Sequence, residues 1–101
     1  MKHYLLFYDY TADYLERRTA LRPAHLVHAR AAVARGELDV AGACTDPGAP
    51  IGVLVFKASD RSVVEDFARA DPYVREGLAV RWHVREWTTV MGPHALTPIP
   101  E

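Results

Sequence analysis

Two segments of the chain are apolar on both of their faces. In residues 2–10, KHYLLFYDY, the side chains alternate so that Tyr8 and Tyr10 share one face and Phe7 lies on the other. This period of two, among many β-forming residues, predicts a strand. Residues 51–58, IGVLVFKA, alternate in the same way. Strands that are covered on both faces have this pattern, so we expect both segments to lie centrally in a sheet.

Two more strands complete the predicted sheet. Residues 37–44, ELDVAGAC, form a short strand that ends at the turn-forming residues 45–50, TDPGAP. Residues 78–91, LAVRWHVREWTTVM, form a longer strand in which Trp82 and His83 lie on opposite faces. The chain therefore carries four strand patterns.

Residues 12–35 predict a helix in two pieces. Pro23 lies within this segment, and proline is tolerated in the first turn of a helix but not in its interior. We therefore expect the main helix to begin near Arg22 or Pro23, with His25 in about its first turn. Apolar residues follow at helical spacing, and Gly36 is a favourable residue just past the end.

A second helix is predicted over residues 59–70, SDRSVVEDFARA. Ser59 or Asp60 can cap its start, and apolar residues at helical spacing supply a buried stripe. Pro72 disfavours helical geometry at Asp71, so we expect the helix to end there.

The order of these elements predicts an α+β fold of the ferredoxin-like βαββαβ type. Such a fold has a four-stranded antiparallel sheet with both helices on one face. We assign residues 1–92 to this domain and residues 93–101, which are rich in proline, to an extended C-terminal tail. Because the uncovered sheet face is apolar, we expect a homodimer through the open sheet face.

Composition limits the partners and the location. The chain has 101 residues, enough for one domain with a modest core. Its formal net charge of -1 lacks the basic excess that attracts nucleic acid or an anionic membrane, so we expect neither as a partner. The apolar run near the N-terminus reaches Asp9 too early for a signal segment or a membrane span. Cys44 is the single cysteine, so we expect no intramolecular disulfide and a cytoplasmic location.

His25 and Asp71 are the first candidates for chemistry. We expect the two helices to follow strands that are parallel to each other, and therefore to run in the same direction. The start of one helix and the end of the other would then be a helix length apart, unless residues 71–77 bend back across the sheet. The local pattern alone therefore does not bring the two residues together.

The chain resembles the YciI-like (YCII-related) family from residue 4 to residue 87. The motifs that carry the resemblance are RPAH at residues 22–25 and ADPYVREGL at residues 70–78. The resemblance implies a ferredoxin-like fold of the dimeric α/β-barrel type, with a cleft that holds a His–Asp pair. Matched by motif, this pair is His25 and Asp71. The chemistry that the resemblance implies is of the lyase or dehydrochlorinase type.

A His–Asp pair is suited to general acid/base catalysis. Imidazole titrates at about pH 6.5, so it can take up and return a proton near neutral pH. A carboxylate bonded to one ring nitrogen fixes the tautomer and stabilises the imidazolium, and a general base contributes roughly 10²–10⁴ in rate. We therefore predict an enzyme in which His25 and Asp71 transfer protons. Its reaction is an elimination or an isomerisation of a small polar or acidic organic molecule.

The candidate substrate contacts are Arg22, Tyr8, Tyr10, His28 and Tyr73. Arg22 can bind an acidic group with two hydrogen bonds. The tyrosine hydroxyls can donate to a developing oxyanion or enolate. His28 shares a helix face with His25 and is expected at the wall of the cleft. A zinc or iron site would need a third ligand at a diagnostic spacing, so we expect no metal and no cofactor.

Three other interpretations stay open. His25 and Asp71 can form a buried hydrogen-bonded pair that only joins two helices. The same cleft can belong to a non-catalytic module that binds or senses a small molecule. A cofactor-independent oxygenase is a further alternative, by analogy with other dimeric α/β barrels.

Overall fold

The computed structural model describes residues 1–100, and Glu101, the last residue of the predicted tail, lies outside the described residues. Its elements in chain order are β1 (Lys2–Tyr10), α1 (Tyr14–Ala34), β2 (Leu38–Cys44), β3 (Ile51–Ala58), α2 (Arg61–Ala70), α3 (Pro72–Arg75) and β4 (Ala79–Trp87). The order confirms the predicted βαββαβ plan and adds the single-turn helix α3. Within this part of the chain, no helix is both long enough and apolar enough to cross a membrane.

The four strands form one antiparallel sheet in the order β2-β3-β1-β4. β1 lies between β3 and β4, with Leu6 opposite Leu54 on one side and opposite Val84 on the other. This arrangement confirms the ferredoxin-like α+β fold. It also places β1 and β3 at the centre of the sheet, as their apolar patterns predicted.

The core lies between one face of the sheet and the helices. Burial alternates strictly along β3, so that Leu54 and Phe56 are buried while Val53 and Val55 are half-buried. Phe56 meets Phe67 of α2 edge-on, with 4.9 Å between the ring centroids. The helices therefore cover one face of the sheet, and the face that carries Val53 and Val55 is open.

The open face is apolar in its centre and charged along one edge. Phe7 of β1 and Val53 of β3 are register partners in that centre. On β4 the exposed Arg81 and Arg85 share this face. His83 stacks on Phe7 there, with 4.9 Å between the ring centroids. A homodimer through this face stays a prediction.

α1 is one continuous helix, so the predicted division at Pro23 is wrong. Pro23 is exposed, and so is Thr19, whose carbonyl loses its helical partner at the proline. Water can satisfy that exposed carbonyl, while buried Tyr14 and Ala32 hold the helix on the core on both sides of the proline. His25 therefore lies in the middle of α1 and not in its first turn.

α1 and α2 run antiparallel, which corrects the expectation that they run in the same direction. β1 and β3 pair antiparallel, and each helix returns along the strand before it, so the two helices oppose each other as well. Side-chain contacts follow this alignment. His25 contacts Asp71 at the end of α2, and one turn later in α1, His28 contacts Phe67, which lies earlier in α2. The topology therefore sets the middle of α1 beside the end of α2.

Candidate active site

Asp71 occupies the junction between α2 and α3. Pro72 follows it, and a residue before proline is driven out of the helical region. Asp71 accordingly has extended backbone angles, φ -69° and ψ 126°, which end α2. The same residue caps α3, where its carboxylate accepts a hydrogen bond from the Tyr73 backbone N–H at 3.0 Å. The local sequence thereby fixes the position of the carboxylate.

The Asp71 carboxylate is fully buried and is held by donors from three elements. Tyr8 of β1 donates its O–H to Oδ2 at 2.7 Å. His25 of α1 lies with Nδ1 2.8 Å from Oδ1 and 3.0 Å from Oδ2. With the Tyr73 backbone N–H, these bonds compensate for the burial of a charge. Burial, and then the Asp71 charge and the hydrogen bond to it, raise the pKa of Tyr8, so Tyr8 stays protonated as a donor.

The two ring nitrogens of His25 have different surroundings. A carboxylate only accepts hydrogen bonds, so Nδ1 carries the proton that is donated to Asp71. Nε2 has no hydrogen-bond partner within residues 1–100. In that part of the chain Thr11 Oγ1 is the one buried side-chain polar atom without a partner, so Nε2 is not buried and reaches the surface. The neutral ring therefore has its lone pair on Nε2, as a general base requires.

Tyr73 supports the His25 ring from one side. The two rings stack in parallel, with 3.8 Å between centroids and 3° between planes. Tyr73 also meets Tyr10 edge-on at 6.1 Å, and Tyr10 stacks on Tyr14 at 4.1 Å. Gly52 of β3 leaves room for Tyr10, because a Cβ at Gly52 would collide with the Tyr10 hydroxyl. We call His25, Tyr73, Tyr10 and Tyr14 the aromatic wall.

The hydroxyls of Tyr10 and Tyr73 are available as hydrogen-bond donors. Burial is the main cause that raises the pKa of each, so both stay protonated at neutral pH. Neither hydroxyl has a partner within residues 1–100, and neither is among the buried unpartnered atoms, so both reach the surface. The positive charges of Arg22 and Arg18 partly offset this rise in the pKa of Tyr73.

One face of α1 supplies most of the site. The residues on this face are Tyr14, Arg18, Arg22 and His25. Steps of four, four and three residues keep side chains on one side of a helix. Arg18 packs over the Tyr14 ring, with its guanidinium carbon 5.4 Å from the centroid. Neither Arg18 nor Arg22 forms an ion pair in the described residues. Sequence reasoning missed Tyr14 and Arg18, because a helix start near Pro23 concealed this spacing.

Two of the predicted substrate contacts have structural partners instead. His28 donates Nε2–H to the backbone carbonyl of Phe67 at 2.9 Å and stacks on the Phe67 ring at 4.3 Å, which ties α1 to α2. Tyr8 is fully buried, and its hydroxyl is bonded to Asp71. Both side chains therefore hold elements of the fold together, and Tyr8 is enclosed whereas His28 is partly exposed. The predicted contacts that lie in or beside the aromatic wall are Arg22, Tyr10 and Tyr73.

Two surface cavities lie away from the His25–Asp71 pair. One, of about 290 Å³, is bordered by Tyr14 and Pro50, beside the aromatic wall. The other, of about 860 Å³, lies against the open face of the sheet. Neither is lined by His25 or Asp71. Among residues 1–100 no group of three or more His, Cys, Asp or Glu side chains could hold a metal ion.

Comparison with known proteins identifies the family. The family model of the YCII-related domain matches residues 1–88. The chain belongs to the YCII-related family. Among solved structures, this YCII-related protein is similar to the 5-chloro-2-hydroxyhydroquinone dehydrochlorinase of Burkholderia phenoliruptrix AC1100 in complex with 2,5-dihydroxybenzoquinone. The two are 22% identical, with a TM-score of 0.74 over 92% of this chain and 98% of that chain, which shows a shared fold. A search of the curated proteins found no match.

The geometry gives this YCII-related protein three chemical capabilities in one place. Nε2 of His25 can exchange a proton with a ligand. The hydroxyls of Tyr10 and Tyr73 can donate hydrogen bonds to an oxygen that gains negative charge. Arg18 and Arg22 supply positive charge that no carboxylate of the described residues neutralises.

Proposed function

We propose that this YCII-related protein is an enzyme in which His25, oriented by Asp71, acts as a general acid/base on a small polar or acidic organic molecule. The observation that carries the proposal is the contrast between the two nitrogens of His25. Nδ1 is bonded to a buried carboxylate, whereas Nε2 has no partner in residues 1–100 and reaches the surface. His28, one turn later, instead uses its Nε2 on a backbone carbonyl.

The reaction type that this arrangement supports is an elimination, as in a lyase or dehydrochlorinase, or an isomerisation. Nε2 takes a proton from the substrate, and the electron pair of the broken bond moves into a new double bond. In an elimination that shift expels an anionic leaving group such as chloride, and His25 then passes its proton to solvent. In an isomerisation His25 returns the proton to a different substrate atom. Asp71 stabilises the positive charge on the ring meanwhile.

The substrate class that fits the site is a flat, hydroxylated ring that ionises readily. Within the aromatic wall, the half-buried rings of His25 and Tyr10 leave aromatic surface that such a ring can contact. Arg18 and Arg22 favour an anion, and guanidinium groups bind oxygen anions with paired hydrogen bonds. The structurally similar dehydrochlorinase, whose structure holds 2,5-dihydroxybenzoquinone, motivates the same class here.

The test is turnover of 5-chloro-2-hydroxyhydroquinone, followed by chloride release, with binding measured separately by calorimetry. We expect His25→Gln to lower kcat by roughly 10²–10⁴ while binding changes little, because the proton acceptor is lost and the cationic contacts remain. The matched control is His94→Gln, an exposed histidine in the tail, which we expect to retain full activity.

Two outcomes would decide against the proposal. Full activity in His25→Gln would show that this imidazole does not transfer the proton. Binding of the compound without any chloride release by the unmodified protein would favour the alternative, a non-catalytic module that binds a small molecule.

We also propose that the protein forms a homodimer through the open sheet face. Half-exposed apolar residues such as Phe7 and Val53 occupy its centre, and apolar patches of this kind mark association surfaces. We expect a dimer in sedimentation velocity and a monomer for Val53→Arg. Ala31→Arg, on the exposed side of α1, is the matched control and should remain dimeric. A monomer for the unmodified protein would refute this arrangement.

A further inference from the structure

Tyr8 contacts the His25–Asp71 pair from the sheet. It lies in β1, opposite Gly52 of β3 and Trp82 of β4, and it is fully buried. Its hydroxyl donates to Asp71 Oδ2 at 2.7 Å. Because the whole side chain is enclosed, this hydroxyl cannot touch a ligand. Any effect of Tyr8 on the proposed reaction must therefore pass through Asp71.

The Asp71 carboxylate shares its two oxygens among three donors. Oδ1 accepts from the Tyr73 backbone N–H at 3.0 Å, and Oδ2 accepts from Tyr8. The third donor, Nδ1 of His25, lies almost equally far from both, at 2.8 Å from Oδ1 and 3.0 Å from Oδ2. The torsion that turns a carboxylate has only a broad preference of its own. The orientation in which both oxygens face His25 is therefore held by the donors on either side.

The bond from Tyr8 also governs how strongly Asp71 binds His25. The Tyr8 O–H and the His25 N–H both approach Oδ2, so they share the negative charge of that oxygen. Hydrogen bonds to an ionised oxygen are shorter than those to a neutral one. Removing the Tyr8 hydroxyl leaves the charge of Oδ2 to the His25 N–H, which should then form a shorter bond to this oxygen.

We propose that Tyr8 is a positioning residue for the His25–Asp71 pair. Its hydroxyl fixes the carboxylate in the orientation that holds the imidazole through Nδ1, and it thereby keeps Nε2 directed toward the substrate. This role rests on the proposed function, because an effect on catalysis requires that His25 transfer a proton. The bond between Asp71 and His25 can be observed without a substrate, so the two proposals can fail separately.

The first test compares Tyr8→Phe with the unmodified protein in ¹H–¹⁵N spectra without substrate. We expect the Nδ1 proton of His25 to resonate further downfield in Tyr8→Phe, because Oδ2 then binds this proton alone. The matched control is Tyr4→Phe, which should leave the signal in place. Tyr4 lies four residues earlier on the same face of β1 and is also buried, but its hydroxyl has no hydrogen bond within residues 1–100. An unchanged signal in Tyr8→Phe would overturn the proposal.

The second test measures turnover of 5-chloro-2-hydroxyhydroquinone. We expect Tyr8→Phe to lower kcat roughly 10–100-fold, because a small displacement of the reacting nitrogen slows the reaction. KM should stay unchanged, since Tyr8 lies outside the binding surface. Adding Tyr8→Phe to His25→Gln should lower kcat no further, because the loss acts through His25. A raised KM with unchanged kcat, or a further loss in the double variant, would contradict the role of Tyr8.

A measurement on the unmodified protein applies even where Tyr8→Phe does not fold, which thermal unfolding of the variant would reveal. The Tyr8 hydroxyl proton and the His25 Nδ1 proton each lie about 2 Å from Oδ2, and therefore at most about 4 Å from each other. We expect a nuclear Overhauser effect between these two protons. Its absence would show that the two donors do not share the oxygen, and would overturn the proposal.

The outcomes distinguish this proposal from the proposed function. No chloride release by the unmodified protein would refute the proposed function, even where the Nδ1 signal moves in Tyr8→Phe. Full activity in Tyr8→Phe together with a low kcat in His25→Gln would uphold the proposed function and refute the role of Tyr8.

Discussion

Replacing Asp71 with asparagine keeps the size of the side chain and removes its charge. In the structure three donors converge on the carboxylate, from Tyr8, His25 and the Tyr73 backbone. An amide offers one acceptor oxygen and one NH₂ donor, so it cannot accept from all three. We expect His25 to respond by moving its proton to Nε2, so that Nδ1 accepts a hydrogen bond from the new amide.

The cost in stability follows from the same bonds. Hydrogen bonds to a charged group contribute about 1.5–3 kcal/mol, and neutral ones about 0.5–1.5 kcal/mol. The Tyr8 and His25 bonds both become neutral, so we expect a loss of about 2–3 kcal/mol in the free energy of unfolding. In a domain of this size that loss corresponds to a fall in Tm of about 10–20 °C.

The assay is a long-range ¹H–¹⁵N spectrum of the imidazole rings, which distinguishes the two neutral tautomers. We expect His25 to be the Nδ1–H tautomer in the unmodified protein and the Nε2–H tautomer in Asp71→Asn. His28 is an internal control, because its Nε2–H donates to the Phe67 carbonyl and should be unchanged in both. An Nε2–H tautomer at His25 in the unmodified protein, or the same tautomer in both proteins, would refute the reasoning.

Three further expectations follow from packing and titration. His28→Ala removes the bond to the Phe67 carbonyl and the ring stack, and should lower the free energy of unfolding in urea by about 1–3 kcal/mol without altering catalysis. Gly52→Ala should cost about 1–3 kcal/mol and change the tyrosine near-UV circular dichroism, because the new methyl group collides with the Tyr10 hydroxyl. The raised pKa of Tyr8 means that the folded protein keeps a proton that the unfolded chain releases above about pH 10, so stability should fall as pH rises beyond that value. Tyr8→Phe should flatten this alkaline decline, and an unchanged slope would contradict the assignment.

The strands could be predicted because their information is local. Alternation in residues 2–10 and 51–58 identifies which face each side chain occupies, and the observed sheet follows those faces. Pro23 misled the prediction of α1, because its local preference is outweighed by contacts that hold the helix at Tyr14 and Ala32. The direction of the helices depends on strand pairing, which no single segment reveals.

The candidate site could be predicted only in part from the sequence. The family motif supplied His25 and Asp71, but the bond between them joins residues 46 positions apart, and Tyr8 lies 63 positions from its partner. No local pattern encodes such contacts. For the same reason the contact of His28 with the Phe67 carbonyl of α2 was not predicted. The homodimer and the cytoplasmic location stay predictions.

Asp71 stabilises the fold as well as serving the proposed chemistry. Its carboxylate joins β1, α1 and α3, so a relative that had lost its reaction would still need this aspartate to keep three elements docked. The presence of both His25 and Asp71 in a relative therefore indicates that the fold is kept, and not that the relative is an enzyme. Catalytic activity is better predicted from the groups around Nε2 of His25, namely arginines and tyrosine hydroxyls that have no hydrogen-bond partner. Sorting family members by that criterion would separate working enzymes from scaffolds that keep only the shape.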